Sequence, residues 1–375
     1  MRILVCAALV FGLIPGRGQA WQEGFEDLAR RAEAAIDSDP AQAADLFKRA
    51  LVLKAGWAEG WLYLGASLYQ LDRFAEASDA FRKGIGLAPT IGTGWAFLGL
   101  CEAELDNSDQ AVADMRKGEQ LGLGGNWQFE IAVRVKAAQT LIRDSAFDEA
   151  VAQMVPLAER GETSAAVSET MGLCALAIAK SASELSPERR AVVDLAGKAA
   201  RESAGQRPAE AAAAYRELLE RYPNEAGVHY AYGLYLMQSD LAGALAEFQK
   251  EVKGNPDHWP ALVEIGSLQV KQGNAEEALE SLRRALKVVP ARYRWLCHAE
   301  SGRAHMMADH LEAAIGELET ARRLMPGNAQ VHFFLAQVYR RAGRKEDSQR
   351  ETGEFEKLKA QQDPLGVPGL LQFRN

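Results

Sequence analysis

Shifting the 375-residue sequence over itself by 34 positions brings Trp61, Leu64, Gly65 and Ala77 onto Trp95, Leu98, Gly99 and Ala111. A repeat of that length confines the chain to architectures in which one small unit recurs and each unit leans on the next. The unit reads as a pair of helices. Trp61, Leu64, Gly65 and Leu68 fall at i, i+3, i+4 and i+7 and so share one side of a helix. Leu71 to Phe74 interrupt that pattern, Ala77, Phe81 and Gly84 restart it, and Pro89 ends the second helix. Neither helix can bury its apolar stripe alone, so successive hairpins must share a continuous core.

Composition agrees with that architecture and removes several others. Hydrophobic residues make up 48% of the chain and charged residues 25%, the balance of a folded protein. Alanine crowds segments such as 195–214, and long Val/Ile alternations are missing, which argues against sandwiches and barrels. A formal charge of -8 supplies no broad positive field, so a nucleic-acid partner is not expected. The surplus is one-sided: residues 1–187 hold 17 Lys+Arg against 25 Asp+Glu, and the remainder holds 26 of each.

At these positions the sequence resembles the tetratricopeptide repeat family, whose pattern runs W-x2-L-G-x2-Y, then A-x3-F, then P. The likeness is strongest in 58–91 and 92–125, and it returns at Gly233, Ala244, Phe248 and Pro256, at Gly266, Ala278 and Pro290, and at Gly302, Ala314 and Pro326. Residues 24–57 form a degenerate first unit, residues 329–362 a closing unit with a charged second helix, and residues 126–223 match least well. There the pattern gives helices near 127–142, 145–160, 163–180, 187–203 and 208–221. The resemblance implies an all-α, right-handed superhelical solenoid of helix-turn-helix repeats. The link Ser181 to Pro187 marks a joint, giving arrays over 21–182 and 183–362 and a tail over 363–375.

The first twenty residues read as an export signal. Met1 and Arg2 precede an apolar stretch from Ile3 to Ile14, and Gly18-Gln19-Ala20 offers small residues where a peptidase cuts. Twelve helical residues span only about 18 Å, short of a hydrocarbon core of about 30 Å; an uncleaved anchor is the alternative. Three cysteines remain beyond it, Cys101, Cys174 and Cys297. Their odd number and wide spacing fit neither a disulfide framework nor a zinc site, and their register makes them small buried spacers.

Catalytic signatures are missing. There is no phosphate loop, serine elbow or zinc helix, and Gly122-Leu-Gly124-Gly125 follows no strand. No catalytic residue, cofactor or metal is therefore expected. All six histidines lie in the second half, where His229, His298 and His332 take the family's tryptophan place and His305 its tyrosine place, so each replaces a packed ring. His258 and His310 fall at loops.

Family members grip a peptide or helix in the groove lined by the first helix of each repeat. The corresponding positions here include Tyr230, Leu234 and Met237, then Val263, Val270 and Lys271, then Arg303 and Met306, and finally Phe333, Gln337 and Arg340. Methionine and aromatic residues adapt to apolar partners and arginine forks hold carboxylates, which points to an acidic, apolar peptide. Two readings stand at this point: these side chains line a groove, or several of them pack against neighbouring helices. The function implied is a non-enzymatic, exported scaffold or adaptor for a protein or peptide ligand. The alternatives are an accessory subunit of an envelope polysaccharide or secretion machine, and a self-assembling protein.

Overall fold

The computed structural model describes residues 20–361, with side chains from residue 24 to residue 360. The expected signal segment before Ala20 and the tail over 363–375 lie outside the described residues. Every regular element among the described residues is helical, and nineteen α-helices follow one another in hairpins, an all-α solenoid. The chain divides into two compact units at Leu157/Ala158, upstream of the Ser181–Pro187 link. No helix among the described residues is long and apolar enough to cross a membrane.

The first unit holds α1 (Ala20–Ala35), α2 (Pro40–Leu53), α3 (Ala58–Gln70), α4 (Phe74–Leu87), α5 (Gly92–Glu104), α6 (Ser108–Leu121) and α7 (Trp127–Arg143), and α8 (Phe147–Glu159) crosses the division. Local chemistry sets the hairpin ends. Asp39 accepts a hydrogen bond from the Gln42 amide at 2.9 Å while Pro40 opens α2. The turns between paired helices put Asp72 and Asp106 in the left-handed region, at φ 57° and 58°, a conformation that short polar side chains tolerate. Aromatic rings then join one hairpin to the next. Phe47 in α2 stacks on Tyr63 in α3 at 5.5 Å, Phe81 in α4 stacks on Phe97 in α5 at 5.4 Å, and Phe97 meets Phe129 in α7 at 4.6 Å.

The second unit continues with α9 (Ala165–Ala175), α10 (Pro187–Ala204), α11 (Pro208–Arg221), α12 (Val228–Leu236), α13 (Leu241–Gly254), α14 (Trp259–Gln272), α15 (Ala275–Val288), α16 (Arg294–Met307), α17 (Leu311–Leu324), α18 (Ala329–Arg341) and α19 (Lys345–Gln361). Helix α10 explains why the repeat fades over 126–223: it packs closely against both α9 and α11, so three helices take the place of a regular hairpin. Gly172 and Gly197 make that possible, because a Cβ on Gly172 would strike the Val193 carbonyl and one on Gly197 the Ser168 carbonyl. Helix α9 is also shorter than the pattern suggests. It stops at Ala175 because Ala177 turns into the left-handed region, at φ 51°.

The small residue eight places into each unit is where paired helices touch. A Cβ added to Gly99 would lie 2.6 Å from the Ala111 carbonyl and 2.7 Å from Met115, and one added to Gly302 would lie 2.5 Å from Leu318. Backbone stands in the way at Gly99, so relief requires the helices to separate. Gly99→Leu is expected to lower stability by about 1–3 kcal/mol or more through overpacking. A thermal midpoint equal to that of the unaltered protein would show that α5 and α6 are not in close contact.

Candidate peptide-binding face of the carboxy-terminal repeats

In the second unit α14 touches α16 and α16 touches α18, so the first helices of successive hairpins stand side by side and share one face. The eleven residues expected to line that face separate into three groups. Tyr230, Val263, Val270 and Met306 are 5%, 2%, 2% and 7% exposed, and they belong to the core. Tyr230 packs against the rings of Phe248 and His258, at 5.7 and 4.8 Å. For these four, the second of the two sequence readings applies: the register that puts them beside the packing stripe also lets the next helix cover them. Leu234, Met237, Arg303 and Gln337 are half-buried, and Lys271, Phe333 and Arg340 are exposed.

Charge on this face is unevenly committed. Neither Lys271 nor Arg340 makes a hydrogen bond or ion pair among the described residues. Arg303, by contrast, donates from Nη1 to both carboxylate oxygens of Glu300 at 2.9 Å, and its guanidinium lies 5.1 Å from the centre of the Phe334 ring. Arg341, one place beyond Arg340, reaches the Met306 carbonyl at 2.6 Å and Asp309 at 2.7 Å, which ties its hairpin to the preceding one. Phe333 leans on Phe334 at 5.6 Å and on Phe355 at 5.4 Å, forming an aromatic patch that is partly open.

Glu300 and Phe334 were not among the expected residues. They occupy the place that Tyr63 and Phe97 hold in the first unit, two residues before the small residue. There the first unit has stacked rings, whereas the second unit has Glu264 and Glu300, both buried, before an aromatic returns at Phe334. The signal was present in the sequence as an acid three residues before Arg303. Burial raises the Glu300 carboxyl pKa to about 7, against the opposing pull of Arg303 and of the Lys271 charge.

The histidines at the tryptophan place do pack, and each also makes a polar contact that register did not foretell. His229 Nδ1 meets Glu247 at 2.6 Å, His298 Nδ1 meets Glu317 at 2.6 Å, and His332 Nδ1 meets Glu351 at 2.7 Å. In each case the glutamate is the seventh residue of the second helix of the same hairpin. His332 also keeps the hydrogen bond that tryptophan makes at this place. Trp61 and Trp95 donate from Nε1 to the carbonyls of Ala55 and Pro89, six residues back, and His332 Nε2 reaches that of Pro326 at 2.9 Å. His258 is no loop bystander either: it is buried, and its Nδ1 accepts from the Ala261 amide at 3.2 Å to cap α14.

Cys101, Cys174 and Cys297 are buried free thiols. Burial pushes the Cys297 thiol up to about 12, so it stays protonated and unreactive.

Two outcomes follow from these contacts. His332 and Glu351 have side chains 7% and 2% exposed, while the rings of His229 and His298 are 20% and 22% exposed. His332→Ala should therefore lower the unfolding free energy by about 2–3 kcal/mol, the scale of breaking a buried pair whose acid keeps a second partner. Here that partner is Arg322, at 2.6 Å. His229→Ala and His298→Ala should cost less, and equal losses in urea unfolding would contradict this ranking. The second outcome concerns Glu300. With a folded-state pKa of about 7 and an unfolded value near about 4.3, the folded chain binds this proton more tightly, so its contribution to stability falls as pH rises through that window. Glu300→Gln removes the fall. Relative to the unaltered protein, the variant should gain about 2–3 kcal/mol in urea unfolding between pH 5 and pH 8; a difference that does not change with pH would refute the assignment.

Profiles described as tetratricopeptide repeat match residues 195–258, 260–291 and 300–349. Cellulose synthase operon protein C of Xanthomonas axonopodis pv. citri is 30% identical over 139 residues, which is 34% of this chain and only 9% of that protein. Among solved structures, MamA 41-end from Desulfovibrio magneticus RS-1 is 22% identical, covering 48% of this chain and 98% of that chain, with a TM-score of 0.42. A MamA RS-1 double mutant is 21% identical over the same shares, also with a TM-score of 0.42. The matched segments fall within the hairpins from α10–α11 to α18–α19: residues 195–258, 260–291 and 300–349 of this chain are tetratricopeptide repeats.

Proposed function

We propose that this protein is a non-enzymatic, exported scaffold or adaptor that binds an acidic, apolar peptide or helix on the shared face of α12, α14, α16 and α18. The observation that carries the reading is an open aromatic ring on α18 together with two exposed cations that make no hydrogen bond or ion pair among the described residues. Lys271 and Arg340 make no ion pair among the described residues, and Phe333 is 37% exposed beside Phe355. Uncommitted cations attract carboxylates without first breaking an internal bond, and a half-open aromatic patch supplies contact area. The half-buried Leu234, Met237, Arg303 and Gln337 complete this face, and the buried Tyr230, Val263, Val270 and Met306 support it from beneath.

The partial likeness to cellulose synthase operon protein C favours one more specific setting, an accessory role beside envelope polysaccharide synthesis. In that setting the catalytic step belongs to a partner.

A photo-crosslinking residue placed at Phe333 in cells should capture a partner chain, identifiable by mass spectrometry. Lys271→Glu combined with Arg340→Glu should reduce that capture by roughly tenfold while the helical circular dichroism stays the same. Undiminished capture by the charge-reversed protein would move the binding face elsewhere, and recovery of this chain alone would favour self-assembly.

A further inference from the structure

Two repeats of the second unit bury an acid at a place that other repeats give to a ring. Glu264 in α14 and Glu300 in α16 stand two residues before the small residue, where Tyr63, Phe97 and Phe334 stand elsewhere, and they are 7% and 1% exposed. A ring there closes the core with no charge to satisfy. A buried carboxylate loses its hydration and requires a counter-charge, and replacing such a group by a packed apolar one is often stabilising. Stability alone therefore gives no reason for Glu300.

Its counter-charge comes from the face above it. Arg303 Nη1 donates to both oxygens of Glu300 at 2.9 Å. Lys271, on the adjacent α14, pulls on the same carboxylate through its charge, without an ion pair among the described residues. Arg303 and Lys271 are the charges that act on Glu300 among the described residues. Cys297, three residues back on α16, feels the Glu300 charge and is kept protonated by burial. From α18 the group that meets the pair is uncharged: the Phe334 ring, whose centre lies 5.1 Å from the Arg303 guanidinium.

We propose, on the reading that α12, α14, α16 and α18 carry the binding face, that Glu300 is a proton-operated counter-ion to that face: ionised, it neutralises the pull of Arg303 and Lys271, and protonated, it leaves the face to hold an acidic ligand more tightly.

The coupling is reciprocal. A ligand carboxylate brought close to Arg303 and Lys271 disfavours a second negative charge beneath them, so binding draws a proton onto Glu300. Affinity therefore falls as pH rises through the titration of this carboxyl, which burial places at about 7 against the opposing Arg303 and Lys271 charges. The proton reaches a group that no ligand has to touch, and the stacked Phe334 ring supports Arg303 in both states.

Fluorescence anisotropy on the full chain, with the dye-labelled peptide acetyl-Leu-Glu-Phe-Glu-Leu-Glu as probe, tests the coupling between pH 6 and pH 8.5, where the carboxylates of the probe stay ionised. Affinity should fall roughly tenfold over that range, the scale of one charge acting across several ångströms of protein. Glu300→Gln should bind tightly throughout, with a flat profile. Glu300→Phe, which restores the ring found at Phe97 and Phe334, should also flatten the profile and keeps the test available if the Gln variant folds poorly. Histidine titrates in the same range, and α16 also carries His298 and His305; a pH dependence that survives in both variants belongs to such groups and overturns the proposal. A flat profile in the unaltered protein overturns it as well, and leaves the face intact if Lys271→Glu with Arg340→Glu still weakens binding. Failure of the probe to bind at millimolar concentration, or equal binding to that charge-reversed protein, refutes the face itself and the proposal with it.

Discussion

Everything in this molecule depends on a helix that cannot cover its own apolar stripe. A hairpin such as α5–α6 buries one side internally, across the Gly99 contact, and leaves another side that only the next hairpin can close. Where that closure is aromatic, as between Phe81 and Phe97, the rings stack at 5.4 Å and no polar group has to be satisfied. Helix α19 differs in character: Lys345, Glu346, Gln349, Arg350 and Glu356 are all exposed.

The second unit departs from this aromatic scheme in a consistent way. Glu264 and Glu300 replace rings in its core, and histidine–glutamate pairs replace tryptophan at its hairpin ends. Buried polar groups require partners, and partners fix geometry. Arg303 is held by Glu300 and is therefore a shaped feature of the face, whereas Lys271 and Arg340 are exposed and make no ion pair among the described residues. A surface with some charges committed and others uncommitted distinguishes among ligands better than a uniformly apolar one.

The same logic accounts for the differences between repeats. In three hairpins the seventh residue of the second helix meets the tryptophan place directly, histidine with glutamate; by register the same two places hold Leu262 with Ser281 and Trp61 with Ala80 elsewhere.

The sequence by itself determined the helix pairs and their order, because the 3.6-residue period, the helix-ending prolines and the small residue at the close contact are all local properties. It also placed the cysteines as buried spacers and His229, His298, His305 and His332 on packed positions, while it put the buried His258 at a loop. Its register could not separate Tyr230 from Phe333, although both stand one residue beyond the packing stripe. Whether such a position is sealed or open depends on how closely the neighbouring helix approaches, and that follows from side chains more than twenty residues away. The double packing of α10 against α9 and α11 and the burial of Glu300 and Asp114 were likewise decided only in three dimensions, because each depends on how neighbouring helices meet.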